Sequence, residues 1–187
     1  MNPDLAYLLG AAGDASVIYN KKRAEYYIEY WQKNYKWLEQ SVAPRIKKLF
    51  NKNVKSIPKK NGLFLMRFYS KSGYELFKKY LSNSTLILEE TNEAQLSYVR
   101  GFFDAEGSAP KRKHGTTYRI HIYQKNLEPL RVISKILSNN GIIVGNLTNS
   151  RDIGLLPIRG KSNIAYFIQN VKPEHPDKTV ALENLCK

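Results

Sequence analysis

The chain has 187 residues, 42% of them hydrophobic, which is enough to bury a core. It carries 30 Lys and Arg against 16 Asp and Glu, a formal net charge of +14 that predicts a polyanionic partner. Cys186 is the only cysteine, which excludes an internal disulfide and a cysteine-based zinc cluster. No signal-peptide pattern is present, and no stretch approaches the roughly 20 apolar residues of a membrane span. We therefore expect a soluble, intracellular protein, with a prokaryotic cytoplasm as the expected compartment and an organelle as the alternative.

The basic side chains are interleaved with aromatic ones. Thirteen tyrosines lie among the lysines and arginines, and both halves of the chain carry the basic excess. A charged, solvated surface is the simpler interpretation of the charge alone. Aromatic rings beside cations suit nucleic acid better, so nucleic acid is the expected partner.

The first predicted element is a helix. Asn2 is a favourable N-cap, Pro3 suits the first helical position, and Asp4 favours the helix N-terminus. We predict that this helix runs to about Gly13. Two strands should follow at 16–20 and 25–32, then a helix near 34–50, a strand around 63–69 and a short helix at 72–81.

The second half of the chain predicts the same order of elements. Asn92 followed by Gln95 resembles a capping box, and 94–103 then reads as a mostly apolar helix. Strands are predicted at 108–111, 116–124 and 153–159, and helices at 127–139 and 162–170. Alternation places Ile28, Tyr30, Ile120 and Ile122 on a core face, and Tyr27, Glu29, Arg119 and His121 on the opposite face.

These elements coincide with an internal repeat. YYIEYWQKN at 26–34 matches YRIHIYQKN at 118–126 with an offset of 92 residues. FYSKSGYELF at 68–77 matches IRGKSNIAYF at 158–167 with an offset of 90. We interpret the repeat as a duplication, with halves at 1–90 and 91–187.

Each predicted motif helix ends in small residues followed by an acid. At the same offset of 92, Asp14 falls on Glu106, and Gly13-Asp14-Ala15 falls on Ala105-Glu106-Gly107. Small side chains allow two helices to approach closely. If the helices pack side by side across a pseudo-twofold axis, their ends bring the two carboxylates together. Two ordinary glycine C-caps are the alternative interpretation.

The segments YLLGAAGDA (7–15) and RGFFDAEG (100–107), each followed by two strands and a helix, resemble the LAGLIDADG homing endonucleases. The resemblance covers nearly the whole chain and points to the single-chain, two-motif type encoded in archaeal introns. It implies an α+β fold of two pseudo-symmetric αββαββα halves. Each half would have a saddle-shaped antiparallel sheet, and the halves would pack through the two motif helices.

The resemblance also implies a catalytic site. Asp14 and Glu106 match the metal-binding acids, and the backbone carbonyls of Gly13 and Ala105 are the expected helpers. Gln32 and Gln124 match a glutamine that orders water. Lys178 matches a catalytic lysine found in some members, with Lys33 and Lys125 as substitutes.

The first motif departs from the family pattern at two positions. Ala12 stands where the first acid is usual, and Ala15 replaces the closing glycine. Neither change removes the metal ligand. In the family the first acid caps and packs, so its absence is compatible with activity, whereas replacement of the glycine affects the expected geometry of the first half.

The function implied is hydrolysis of one phosphodiester on each strand of a long, asymmetric double-stranded DNA target by a monomer that needs no protein partner. Mg²⁺ is the expected cofactor, with Mn²⁺ or Ca²⁺ able to substitute for binding. Two alternatives on the same fold are an RNA-binding intron maturase and a cleavage-inactive DNA-binding regulator. The expected DNA-binding residues lie on the open strand faces and in the turns: Asn20, Lys22, Tyr27, Glu29, Arg67, Tyr69, Lys71, Arg112, Arg119, His121, Arg159 and Lys161.

Overall fold

The computed structural model describes residues 1–110, 118–150 and 152–186, with the backbone alone at Asp14 and Ser150. It confirms an α+β fold with two repeated sets of elements in the order αββαββα. The helices are α1 Pro3–Gly10, α2 Tyr35–Trp37, α3 Ala43–Phe50, α4 Lys71–Ser82, α5 Asn92–Glu106, α6 Leu127–Asn139, α7 Lys161–Val171 and α8 Pro176–Cys186. The strands are β1 Ala15–Asn20, β2 Glu25–Gln32, β3 Ile57–Pro58, β4 Phe64–Tyr69, β5 Gly107–Ser108, β6 Arg119–Gln124, β7 Thr148–Ser150 and β8 Ile153–Arg159.

Each half contains one four-stranded antiparallel sheet. The strand order is β1-β2-β4-β3 in the first sheet and β5-β6-β8-β7 in the second, so the same topology occurs twice. One face of each sheet packs against helices: Ile28, Ile120 and Ile122 are fully buried, and Tyr30 is almost so. The predicted core face is therefore confirmed, and the opposite face of each sheet is left for other contacts.

The two motif helices, α1 and α5, pack against each other at glycines. A Cβ on Gly10 would lie 2.0 Å from the carbonyl oxygen of Tyr98, and a Cβ on Gly101 would lie 2.0 Å from that of Tyr7. No residue with a side chain fits at such distances without moving a backbone. The two backbones therefore touch at equivalent points, and the halves are joined through these helices.

The glycines and the acids do not share one offset. Gly10 and Gly101 are 91 residues apart, whereas Asp14 and Glu106 are 92 apart, so the first motif has one residue fewer between glycine and acid. The first motif compensates for the missing residue by 3₁₀ geometry at Ala11–Asp14, whereas α5 of the second motif remains α-helical to Glu106. Four 3₁₀ residues rise about 8 Å and five α-helical residues about 7.5 Å. The tighter winding therefore brings Asp14 to the same level as Glu106.

Several predicted boundaries need correction. Thr91, not Asn92, is the N-cap of α5, and its side chain accepts from the amide of Ala94. Gln95 does not close a capping box, because its side-chain amide donates to the carbonyls of Leu88 and Glu90. The helix predicted at 34–50 is interrupted by π-helical turns at Leu38–Val42. Pro44, two residues after Val42, lacks the backbone N–H that would donate to a carbonyl of the preceding turn in a regular helix.

Other segments are shorter in the structure than predicted, or were not predicted. The strands predicted at 108–111 and 116–124 are observed as β5 and β6, and positions 111–117 lie outside the described residues. Helix α8 and the 3₁₀ segment Ser84–Glu89 were not predicted. Within the described ranges, no helix is long and apolar enough to cross a membrane.

Candidate active site and DNA-binding surface

The carboxylate of Glu106 lies against the backbone of Gly13. A Cβ on Gly13 would be 2.6 Å from Oε1 of Glu106 and 2.8 Å from its Cγ. Gly13 is exposed and directly precedes Asp14, which ends the 3₁₀ segment. The ends of the two motif helices therefore meet, as the repeat predicted, with the Glu106 carboxylate beside the backbone that carries Asp14.

Gln32 and Gln124 occupy equivalent positions at the ends of β2 and β6. The side-chain oxygen of each accepts from the next backbone amide, at 2.8 Å from Lys33 and 2.7 Å from Lys125. The same local contact in both halves fixes both amide groups in the same orientation. Lys33 and Lys125 follow directly and are exposed.

Lys178 lies at the C-terminal end of α5. Its Nζ donates to three successive carbonyls, those of Phe103 at 2.9 Å, Asp104 at 2.6 Å and Ala105 at 3.0 Å. An ammonium group has three N–H donors, and the end of a helix leaves carbonyls without intrahelical partners. Lys178 thus places a positive charge where the helix dipole is negative, immediately before Glu106.

Asp104 is fully buried and holds the segment that precedes α8. Its carboxylate accepts from the amides of Glu174 and His175 at 3.1 Å and from the hydroxyl of Tyr7 at 2.7 Å. Burial raises the pKa of the Asp104 carboxyl to about 6, against the lowering effect of these donors and of Lys178. The side chain and the carbonyl of Asp104 thus both bind the C-terminal segment.

His175 is buried at the same place. Only 5% of it is exposed, its ring lies 5.7 Å from that of Trp37, and its Nδ1 has no hydrogen-bond partner among the described residues. Burial, aided by the charge of Lys178, lowers the pKa of the imidazole to about 4. The ring is therefore neutral at physiological pH.

A cavity of about 260 Å³ lies between the end of β2 and the start of α8. Both halves contribute to it, so the end of β2 in the first half faces the strand that follows Glu106 in the second. The Asn34 amide donates to Asp177 at 2.9 Å across this cavity. It is lined by Gln32, Lys33, Asn34, Gly107, Ser108, Ala109, His175, Asp177, Lys178 and Ala181.

The open face of the first sheet carries an ion pair surrounded by aromatic rings. Arg67 lies opposite Glu29 and donates from Nε to its Oε1 at 2.6 Å, while its guanidinium carbon is 4.7 Å from the centre of the Tyr27 ring. Tyr27 lies opposite Tyr69, with ring centres 5.5 Å apart. Arg67 and Tyr69 are exposed, so this face offers a cation and rings to a ligand.

The expectation that Glu29 is exposed is wrong. Only 5% of Glu29 is exposed, because its carboxylate is covered by Arg67 and also accepts from Nε1 of Trp31 at 3.3 Å. A carboxylate in this position holds Arg67 in place, rather than reading a base directly. The observation changes the role of Glu29 and leaves it on the predicted face.

The open face of the second sheet places two arginines side by side. Arg119 pairs in register with Arg159, and both are exposed. His121 is on the same face, and its pKa is lowered by burial and by these two guanidinium groups. Like charges directly opposite each other destabilise a sheet. A bound polyanion would relieve that repulsion.

The remaining predicted DNA contacts lie at the outer ends of the sheets. Lys71 lies 5.9 Å from the centre of the Tyr26 ring, and Lys161 lies 5.8 Å from that of Tyr118, so the same contact recurs in both halves. Asn20 caps the turn after β1 by accepting from the amide of Lys22. Arg112 lies outside the described residues.

Known proteins are similar to this chain in sequence and in fold. The family described as a LAGLIDADG-like domain matches residues 93–172. Homing endonuclease I-ApeI of Aeropyrum pernix is 28% identical over 195 residues, covering 97% of this chain and 86% of the relative. Homing endonuclease I-DmoI of Desulfurococcus mucosus is 31% identical over 145 residues, covering 73% and 70%. The chain belongs to the LAGLIDADG homing endonuclease family.

Solved structures agree with this assignment. I-DmoI in complex with DNA and calcium superposes with a TM-score of 0.74 at 26% identity, covering 97% of each chain. Another structure holds I-DmoI with DNA and manganese, at a TM-score of 0.72 and 25% identity, covering 92% of this chain and 98% of that one. The fold of this homing endonuclease family member is thus the fold in which those divalent cations and DNA are bound.

The donors at the helix ends of this homing endonuclease family member suit a hard divalent cation. The Glu106 carboxylate and the carbonyl oxygen of Ala105 belong to consecutive residues, and the backbone of Gly13 lies against that carboxylate. Oxygen donors of this kind are the ligands that Mg²⁺, Mn²⁺ and Ca²⁺ prefer. Among the described residues, no group of three or more His, Cys, Asp and Glu side chains could hold a metal.

Sequence reasoning missed the residues that hold the second motif in place. Asp104, Glu174 and His175 were not candidates, because each acts through contacts across roughly 70 residues of chain. One signal was available: Asp104 is present in the second motif, whereas Ala12 replaces its counterpart in the first. The difference indicated that the second motif has a binding partner that the first lacks.

Proposed function

We propose that this chain is a site-specific endonuclease that hydrolyses one phosphodiester on each strand of a long, asymmetric double-stranded DNA target, using Mg²⁺. The observation that carries the proposal is the meeting of the two motif helix ends, with Glu106 against the backbone of Gly13. Two acid-bearing ends at one pseudo-twofold axis provide one site for each DNA strand. Mn²⁺ or Ca²⁺ would substitute in binding.

Asp14 and Glu106 are the proposed metal ligands, with the carbonyls of Gly13 and Ala105 as helpers. DNA phosphate oxygens and water would complete the coordination, because Mg²⁺ commonly uses one or two carboxylates and retains several waters. The cation supplies an activated water at neutral pH and offsets the charge that develops on the phosphate. The carboxylate of Glu106 can occupy this position because Gly13 of the first motif has no side chain there.

The glutamines and lysines have proposed roles around these ligands. Gln32 and Gln124 would orient water, and the side-chain oxygen of each accepts a hydrogen bond from the next backbone amide. Lys178 adds positive charge beside Ala105 and Glu106, where negative charge develops. Lys33 and Lys125, which follow the two glutamines, are the alternative catalytic lysines.

The two open sheet faces are the proposed DNA-binding surface, and they differ. The Glu29–Arg67 pair and the tyrosines of the first sheet correspond to two arginines and His121 in the second. Arginine can bind guanine edges in the major groove, and lysines in the turns can bind phosphates. Unlike halves in one chain support reading of an asymmetric target by a monomer, with halves at 1–90 and 91–187. Action on a host gene implies an intracellular location, which we propose is a prokaryotic cytoplasm.

The direct test is incubation of the protein with DNA that contains its host gene without the interrupting element, with Mg²⁺ or with EDTA. We expect a double-strand break at one position with Mg²⁺, and binding without cutting in EDTA. Tight, specific binding with no break at any Mg²⁺ or Mn²⁺ concentration would contradict the proposal and favour a DNA-binding regulator. Preferential binding of the host intron RNA would favour a maturase.

A further inference from the structure

Arg45 of the first half binds the segment that carries Lys178 in the second half. Its Nη1 and Nη2 donate to the two carboxylate oxygens of Glu174 at 2.8 and 2.7 Å, a bidentate ion pair. The side chain of Arg45 is only 15% exposed and that of Glu174 29%. Partial burial and fork geometry make such a pair stronger and more directional than one on the surface.

The guanidinium of Arg45 is also fixed by its own surroundings. Nη1 donates to the carbonyl of Ser41 at 2.7 Å, the guanidinium carbon lies 3.8 Å from the centre of the Tyr7 ring, and Nε lies 3.3 Å from the carboxylate of Asp4. Tyr7 in turn donates to Asp104. Arg45 is therefore a rigid support for Glu174. It belongs to the first half of the chain, whereas Glu106 belongs to the second.

Glu174 connects this support to Lys178. Its backbone amide donates to Asp104, and four residues later the ammonium of Lys178 donates to the carbonyls at the end of α5. Arg100 adds a weaker contact to Glu174 at 3.3 Å. The segment 174–178 is thus fixed at the Glu174 side chain, at the Glu174 amide and at the Lys178 ammonium.

The arrangement exists on one side of the molecule. Ala12 replaces the counterpart of Asp104, and the residue 92 positions after Arg45 is Leu137, which is fully buried and has no charge. The charged groups are therefore concentrated at the helix end where Lys178 lies. Such a concentration is expected if Lys178 must be held at the Glu106 end.

We propose that Arg45 is a positioning residue for cleavage: through Glu174 it holds Lys178 on the C-terminal carbonyls of the Glu106 helix. The inference rests on the endonuclease function proposed above. It adds that the rate at the Glu106 end depends on an ion pair between the two halves. Among the described residues, the side chain of Arg45 contacts Ser41, Glu174, Asp4 and Tyr7, and neither Glu106 nor the open sheet faces.

The test is a double-mutant cycle of Arg45→Met and Lys178→Met, measured as single-turnover cleavage at saturating enzyme. We expect Arg45→Met to slow cleavage about tenfold with DNA affinity unchanged, and to have less than about a twofold effect in the Lys178→Met background. Arg45→Lys, which cannot form the fork, should recover part of the rate. Equal losses in both backgrounds would overturn the proposal, because they would show that Arg45 acts independently of Lys178.

Lys48→Met is the matched control, since Lys48 lies on the same helix and pairs with Asp4 but not with Glu174. It should leave the cleavage rate unchanged within about twofold. A second measurement does not depend on cleavage: acetylation of Lys178 followed by mass spectrometry. Arg45→Met should raise its acetylation rate several-fold, and Lys48→Met should not. Unchanged acetylation in Arg45→Met would overturn the proposal, and absence of cleavage by the parent would instead contradict the proposed function.

Discussion

Gly10 and Gly101 are the points at which the two motif helices touch, and neither position has space for a single methyl group. A Cβ at either glycine would lie 2.0 Å from a backbone carbonyl oxygen of the other helix. The atom in the way is backbone, so relief requires the helices to move apart. The spacing of the helices, and with it the separation of the two acids, is therefore set by these glycines.

Gly10→Ala and Gly101→Ala should each destabilise the protein by about 3 kcal/mol or more, as overpacking against backbone does. Urea denaturation monitored by circular dichroism measures the free energy of unfolding. Gly62→Ala is the control, because a Cβ there would meet nothing within 4 Å. The only cost of that substitution is the strain of an alanine in a left-handed backbone conformation, with φ +68°. Equal losses at all three glycines would show that the helix contact is not the cause.

Gly13→Ala should act on cleavage more than on stability. Its Cβ would overlap the end of the Glu106 side chain, which can rotate away, so the fold adjusts while the carboxylate leaves its position. We expect a loss of at least about tenfold in cleavage rate, with DNA affinity unchanged and a free energy of unfolding within about 1 kcal/mol of the parent. A variant that cuts at the parental rate would show that the Glu106 position is not critical.

Arg119→Ala and Arg159→Ala should change stability and DNA binding in opposite directions. Removing either arginine relieves repulsion between like charges that lie opposite each other. The free energy of unfolding should therefore stay the same or rise slightly. DNA affinity should fall, by about 1–3 kcal/mol if the lost contact is to a base edge. A contact to a phosphate would instead lower the salt dependence by about one unit of slope. Thermal melts and titrations at several salt concentrations measure the two effects, and unchanged DNA affinity would contradict the assigned surface.

The buried imidazole of His175 should make stability depend on pH. Its pKa is lowered to about 4 in the folded protein and lies near the ordinary value of about 6.5 in the unfolded chain. Between these values only the unfolded state binds the proton, so the stability present above pH 6.5 is lost as the pH falls toward 4. His175→Phe should therefore lose less stability than the parent over this interval.

Asp104 titrates in the same interval with the opposite sign, because its pKa is raised to about 6 and its burial is tolerated better at low pH. The parent and the His175→Phe variant both contain Asp104. The difference between their melting temperatures at each pH therefore isolates the contribution of His175. A difference that stays constant from pH 4 to pH 7 would show that His175 remains protonated, or stays solvated, in the folded state.

Local patterns predicted the regular elements well. The bounds of β2, α6 and β8 agree with prediction, since alternation, the local pattern of apolar residues and flanking turns are properties of a few neighbouring residues. The repeat similarly predicted that Asp14 and Glu106 end equivalent helices. These features depend on short-range sequence and on a comparison of the chain with itself.

Long-range contacts could not be predicted in the same way. Glu29 was expected to be exposed, but its burial depends on Arg67, 38 residues away on another strand. The 3₁₀ turn before Asp14 follows from the register of α1 against α5, which no local pattern contains. The C-terminal helix α8 and the Arg45–Glu174 pair join parts of the chain that become neighbours only after both halves fold.

We propose that Asp14 and Glu106 form paired metal-binding sites at the meeting point of the two helices. The most direct measurement compares the parent with Asp14→Asn and Glu106→Gln on the same target, with cleavage measured in Mg²⁺ and DNA affinity in Ca²⁺. We expect both variants to bind the target as tightly as the parent and each to lose double-strand cutting by at least about a thousandfold. Double-strand cutting at the parental rate by either variant would contradict it.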